Sequence, residues 1–274
     1  MSIPKRHHYV PRFILANFVD DAGKLWVQRS SGGTVWSAVP EDVHVERHRY
    51  SSVDPAGNRD PELEKAYSVL EGVTKPIVDQ FLTAGRSGRP PVITVAEKAA
   101  WDEFLYHKMK RVPAATAALE KKQGWGERLD AAIERLRERG LAVDEETSAE
   151  LRSPDSLARL KQNATVKALS ADSPLVRILL GAANIELGVA PTEISFVISS
   201  HPIAGIRAGL QSAESGASEM WLPIASDVAV RVAFGVEFRT VALTLDKVAS
   251  INRDSRAQGD FVAGASKDLV ESAT

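Results

Sequence analysis

Val228-Ala229-Val230-Arg231-Val232-Ala233-Phe234, with Met220-Trp221-Leu222-Pro223 before it and Thr240-Val241-Ala242-Leu243 after it, sets the fold class. β-Branched and aromatic residues crowd short runs punctuated by Pro223 and Gly235, which is the pattern of strands. Glu193-Ile194-Ser195-Phe196-Val197-Ile198-Ser199 reads as a strand ahead of them, and Phe261-Val262 as a last one. A final helix is predicted from about Asp246 to just before Gly259.

Upstream of Pro191 the composition changes and helical spacing takes over. A helix is predicted from Pro61, with Asp60 as its cap and Glu62 and Glu64 complementing its dipole. Pro76 should kink or split it before Phe81, because proline removes a helical N–H. Thr94-Val95-Ala96-Glu97 is a capping box. The helix it starts should reach about Val112 and bury Ala100, Trp101, Phe104, Leu105 and Met109. Residues 114–140 alternate charge with Leu129, Ile133 and Leu136 and predict a solvated helical hairpin. The acidic, polar stretch 140–154 predicts a mobile connection. Ser153-Pro154 and Ser173-Pro174 each pair a cap with a first-turn proline, and the second helix is expected to end near Gly188.

At the other end, Phe13 to Phe18 predicts a short helix after Pro11. Lys24 to Arg29 and Thr34 to Ser37 flank Gly32-Gly33 and predict a hairpin, followed by an extended Val43-His44-Val45. Strands at both ends around a helical middle make the chain α+β rather than alternating α/β. The expected architecture is one domain over residues 1–274. Its helical middle packs on antiparallel sheet from the N-terminal hairpin and the C-terminal strands, and a helical excursion spans about 114–152.

The chain has 274 residues, a net charge of −2 and no cysteine. Thiolate metal sites and cysteine nucleophiles are therefore excluded. Any resident metal must use His, Asp or Glu, and a generally basic nucleic-acid surface is not indicated. No apolar run approaches a membrane span and no signal peptide is visible, so a cytoplasmic protein without a membrane partner is expected. Gly-x-x-x-x-Gly-Lys-Ser/Thr, Gly-x-Gly-x-x-Gly and His-Glu-x-x-His are all absent, which disfavours P-loop, Rossmann and zincin chemistry.

His7 and His8 are the densest candidate site. Imidazole titrates near neutrality and ligates metals readily. In an extended segment the two rings point to opposite faces, so one of them at most serves a given site. A His-His before an apolar residue and proline also occurs in ββα-metal nucleases, but the His, Asn and Asp set they need does not follow here. Glu64 and Glu71 are seven apart on one predicted helix, hence on one face, and could hold a divalent ion. His107, Lys108, Lys110, Arg111 and Lys121-Lys122 form a cationic stretch in which Arg111 offers a fork to an anion. Ser199-Ser200-His201-Pro202 follows a predicted strand, where a Ser–His pair is either a site or a turn.

His7-His8-Tyr9-Val10-Pro11-Arg12-Phe13-Ile14-Leu15-Ala16-Asn17-Phe18 resembles the opening signature of a widespread, mainly bacterial family of unknown function. Its members begin His-His-Tyr-Val-Pro, then Gln or Arg, then Phe-x-Leu-x-x-Phe. The likeness extends to a Glu-bearing helix (Glu64, Glu71), an Arg-x-Pro helix end (Arg111-Val112-Pro113) and a Leu-Pro-Ile/Leu segment (Leu222-Pro223-Ile224). It also covers a terminal Asn-bearing helix (Asn252) and a strand running into Ser-Asp-x-Pro, where this chain has Ser200-His201-Pro202. The family often carries Asp-Asn before that proline, so His201 is a departure.

The resemblance places His8, Glu64 or Glu71, Arg111 and His201 on separate elements. Their convergence would make an intracellular, metal-assisted hydrolase acting on a phosphodiester or nucleic acid. In that reading His7 or His8 is base or ligand, His201 a further catalytic candidate, and Arg111 an anion clamp. A divalent metal is held by His8, Glu64 and Glu71. The alternative is a non-catalytic binding or sensing module in which the His-His segment is structural. Nucleic-acid binding without catalysis would need a continuous basic face of Arg12, Lys108, Lys110 and Arg111.

Overall fold

The computed structural model describes residues 6–112, 116, 124–205 and 219–273. The chain opens with β1 (Arg6–His8), α1 (Arg12–Leu15) and a 3₁₀ turn, then β2 (Leu25–Arg29) and β3 (Trp36–Ala38). A second 3₁₀ turn leads to β4 (Val45–Arg47), β5 (Ser52–Val53) and β6 (Arg59–Asp60). The helices α2 (Glu62–Arg86), α3 (Val95–Arg111), α4 (Trp125–Glu138), α5 (Glu145–Leu151), α6 (Pro154–Ser170) and α7 (Pro174–Ala182) follow. Then come β7 (Asn184–Val189), β8 (Ile198–Ser199), β9 (Met220–Pro223), β10 (Val228–Ala233) and β11 (Arg239–Ala242). The chain finishes with α8 (Leu245–Gln258), β12 (Phe261–Gly264) and α9 (Lys267–Ser272). The fold is α+β, with helices as its larger part.

These elements fall into two units, between which the chain passes at five points: after His7, Val45, Tyr67, Val112 and Asp172. The first unit holds residues 46–67 and the described parts of 1–7 and 113–172. Its buried heart is Tyr50, Tyr67 and Leu169, with Leu63 packed against them. The short hairpin β5–β6 is fastened to α6 by side-chain amides. Asn163 accepts from the Val53 N–H at 2.7 Å and donates to the Val53 carbonyl at 2.8 Å. An asparagine thus stands in for a neighbouring strand and satisfies backbone groups that burial would otherwise orphan.

The second unit holds residues 8–45, 68–112 and the described part of 173–274. It contains two four-stranded sheets, ordered β11-β7-β10-β9 and β3-β2-β12-β8. Their pairings are antiparallel except for β11 on β7. One core joins Ile77, Val78 and Phe81 of α2, Trp101, Phe104 and Leu105 of α3, and Ile185, Leu187, Val228 and Val230 of the first sheet. At Gly85 a Cβ would come 3.2 Å from Val228, so glycine lets α2 lie close on β10. Arg86 then forks onto Asp227 at 2.7 and 3.0 Å.

Several local expectations hold, and several do not. The Thr94–Glu97 capping box forms and Ser153 caps its helix, whereas Ser173 makes no capping hydrogen bond; Thr244, not singled out in the sequence, caps the helix it precedes. Pro76 leaves α2 neither split nor ended: one helix runs from Glu62 to Arg86. The helix begun at Pro174 stops at Ala182, because Asn184–Val189 is claimed as an inner strand paired on both sides. Tertiary pairing overrides helical pattern there. Only Ile198–Ser199 of the expected 193–199 strand is in a ladder, although Phe196 and Val197 are buried. The connection 140–154 contains α5, which Asp144 caps. The first arm of the expected 114–140 hairpin, with Lys121 and Lys122, lies outside the described residues apart from Thr116.

Candidate functional site

The adjacent histidines belong to different units. His7, fully buried in the first unit, stacks on the Tyr50 ring at 5.2 Å and 14°, and Tyr50 in turn meets Tyr67 edge-on. Its Nδ1 accepts the Tyr50 backbone N–H at 2.9 Å. That bond puts the ring proton of the neutral imidazole on Nε2. Glu64 Oε2 lies 3.8 Å from the same Nδ1. The hydrogen bond decides between them: a nitrogen accepting an amide proton cannot share one with the carboxylate, so this contact is not an ion pair of the charged kind.

His8 belongs to the second unit and is partly exposed. Its Nε2 donates to the Glu41 carbonyl at 3.1 Å, since a carbonyl only accepts. The next residue, Tyr9, donates its backbone N–H to the His44 carbonyl at 3.1 Å. His44 is buried and adopts φ 53°, a left-handed conformation uncommon outside glycine. Burial, with the His8 charge adding to it, lowers the His44 pKa from 6.5 to about 3, against a backbone bond to Ile198 that raises it. His44 is therefore neutral in the folded protein at physiological pH.

Beneath this segment sits a polar array from α2 and α3. Arg111, 2% exposed, donates one N–H to Glu71 Oε1 at 2.6 Å and another to the His8 carbonyl at 2.5 Å. Lys108, 1% exposed, lies 3.4 Å from both Glu71 Oε1 and the Tyr9 carbonyl, and 5.0 Å from the Phe104 ring centre. Burial pushes the Glu71 pKa up, but the two cations outweigh it and hold the carboxyl below its ordinary value. Lys108 and Arg111 are thus turned inward, and the continuous basic face expected of Arg12, Lys108, Lys110 and Arg111 does not form. Arg12 is exposed and faces Glu41 at 3.6 Å, while Lys110 covers the Tyr106 ring.

The expected ligand set meets the same obstacle. Glu64 belongs to the first unit and Glu71 to the second. Glu71 Oε1 already faces Arg111 and Lys108. Among the described residues no group of three His, Asp or Glu side chains is arranged to hold a metal ion.

His201 occupies a turn after β8. Its backbone N–H donates to Ser199 Oγ at 3.2 Å, and its Nδ1 donates to the Ile203 carbonyl at 3.1 Å. Burial lowers its pKa, partly offset by backbone hydrogen bonds. Ser200 Oγ accepts from the N–H groups of Asp260 and Phe261 at 2.7 and 3.3 Å, which pins this turn to β12. Neither serine hydroxyl bonds the imidazole; both engage backbone groups.

The remaining signature residues make similar joints. Tyr9, Val10, Ile14, Leu15 and Phe18 are buried in the second core. Asn17 donates its side-chain N–H to the Ile224 carbonyl at 2.9 Å and accepts from the Ser226 N–H through its own carbonyl. The opening signature and the Leu222-Pro223-Ile224 segment are thereby tied together. Asn252 of α8 bonds the backbone of Ser195 and Val197 at 2.9 and 3.0 Å. Sequence reasoning overlooked His44, because a histidine between two valines carries only a strand's pattern. Its left-handed backbone has no local signal such as glycine or asparagine.

No curated protein and no solved structure matches the chain. A family model described as "Protein of unknown function (DUF4238)" matches residues 6–229. The motifs that make the joints just described, apart from Asn252, lie within that span, and the chain belongs to this family.

Proposed function

We propose that this protein is a non-catalytic binding module, in which the His-His signature fastens the fold instead of performing chemistry. One observation carries the reading: the Arg111 fork. A guanidinium offered to a substrate anion would present its planar N–H edge to a cleft. Here that edge is spent on Glu71 and on the backbone of the signature itself. His7 supports the same reading, since its Nδ1 lone pair receives a backbone amide.

The competing reading is a metal-assisted phosphodiester hydrolase. The purified protein should be incubated with a chromogenic phosphodiester, with and without Mg²⁺ or Mn²⁺, beside a His7→Ala/His8→Ala variant. The module reading expects no turnover above blank, equal metal content in both proteins and a lower melting temperature for the variant. Turnover that the double substitution abolishes, in a variant that still unfolds cooperatively at the wild-type temperature, would overturn it.

A further inference from the structure

Most arginines of the second unit that reach a surface have an acidic partner: Arg86 has Asp227, Arg177 has Glu103, and Arg231 has Glu186 and Glu219. Helix α4 of the first unit differs. Arg128, Arg135 and Arg139 form no ion pair among the described residues; Arg135 bonds only the Ala131 carbonyl, and Arg128 lies over the Trp125 ring. Spacings of three and four put these arginines on one face with Ala132 and Leu136. Glu127, Glu134 and Glu138, at spacings of seven and four, share a different face, where Glu134 meets Arg137. The charges on this helix are therefore sorted, not alternating.

The basic face also carries apolar surface. Ala132 and Leu136 lie among the arginines, and Leu136 is 38% exposed. Buried support comes from Ile133. From Arg128 to Arg139 the face is about 16 Å long.

The geometry points to a docking site for an acidic segment of a partner protein. An aliphatic side chain of that segment lies over Ala132 and Leu136, and its carboxylates meet Arg135, Arg139 and Arg128. Charge complementarity selects this occupant, and guanidinium forks suit carboxylates. A second copy of the chain is disfavoured, because a two-fold axis on this face sets arginine against arginine. The inference deepens the binding-module reading and rests on it.

The test uses the 274-residue protein and a synthetic peptide of about 15 residues, long enough to form a helix. Its leucines repeat with helical period and are flanked by glutamates. Saturable binding is expected, and it should weaken several-fold when salt rises from about 0.05 to about 0.3 M. Arg135→Glu/Arg139→Glu should weaken it about tenfold or more, whereas Arg137→Glu should leave it within about twofold. Arg135→Gln/Arg139→Gln serves if the charge reversal perturbs folding, which circular dichroism reads. The inference is overturned if the peptide does not bind, if it binds the arginine variants equally, or if a lysine counterpart binds as well. It is likewise overturned if phosphatidylserine vesicles are retained and the peptide is not. Its failure is separable from that of the module reading, which the phosphodiester assay tests without any peptide.

Discussion

In the first unit the buried heart is two tyrosines and a leucine, with a histidine ring stacked on one tyrosine. In the second, aliphatic and aromatic side chains come from five helices and two sheets, and a carboxylate and two cations sit together beside them. The small core depends on ring geometry and on side-chain amides that complete strand β5. The large core tolerates buried charge because Glu71 is shared by Lys108 and Arg111, and both cations also reach backbone carbonyls. Two adjacent histidines serve these two environments, His7 by accepting a backbone N–H and His8 by lending its carbonyl to Arg111. A sequence signature can thus be one motif and two devices.

The largest effect that could break this contrast is at Tyr50. Tyr50→Ala removes the ring between His7 and Tyr67 and should cost about 4 kcal/mol. Hydrogen exchange should quicken in α6 more than in β10; equal loss in both would mean that the cores are not separate. Glu71→Gln comes next. It leaves Lys108 and Arg111 without their carboxylate and should cost about 3 kcal/mol, at the low end for a broken buried pair because Glu71 is 23% exposed. Denaturant titration reads the loss, and here β10 should lose protection before α6.

His44 sharpens the comparison through pH. Its folded pKa of about 3 lies below the ordinary 6.5, so the unfolded chain takes up a proton that the folded one refuses. The stability it contributes is complete above about pH 6.5 and falls as pH drops toward about 3. Between about pH 7.5 and about pH 5.5 the loss should be about 1.4 kcal/mol. His44→Asn, which tolerates a left-handed backbone, should remove this dependence in paired melts at the two pH values. Glu71 in the same unit is shifted the same way, downward, but from the ordinary carboxylate value and because its charged form is favoured. Its contribution is present above the ordinary carboxylate range and is lost only as pH falls through its lowered value, so the two acid phases should separate. The smallest effect is Asn17→Ala, which should cost about 1 kcal/mol for the lost bond to Ile224.

Caps and strong strand runs were legible in the sequence, because their causes are local. Thr94 and Ser153 each carry an acceptor at the right step before a helix, and the runs around β9, β10 and β11 are rich in β-branched or aromatic residues. Strand β7 was misread although Ile185, Leu187 and Val189 alternate with period two; a preceding helical pattern and a short apolar run hide it. Its Glu186 is buried only because Arg231 and Arg239 stand opposite it on the neighbouring strands, a fact of register that no local window contains. The family motifs themselves were visible, but their roles were not. Glu64 and Glu71 look equivalent on a helical wheel, yet one faces His7 and the other Arg111.

The ladder between β2 and β12 bears on how the chain is made. Gln28 pairs with Val262, and Trp26 with Gly264. Synthesis at about 5–20 residues per second separates those partners by roughly ten to fifty seconds. Throughout that interval the second edge of β2 has no native neighbour, while β3 covers the first. Chains cut short before Phe261 should therefore expose a strand edge competent to pair with another chain. Aggregation of nascent or C-terminally clipped material should begin at the N-terminal hairpin.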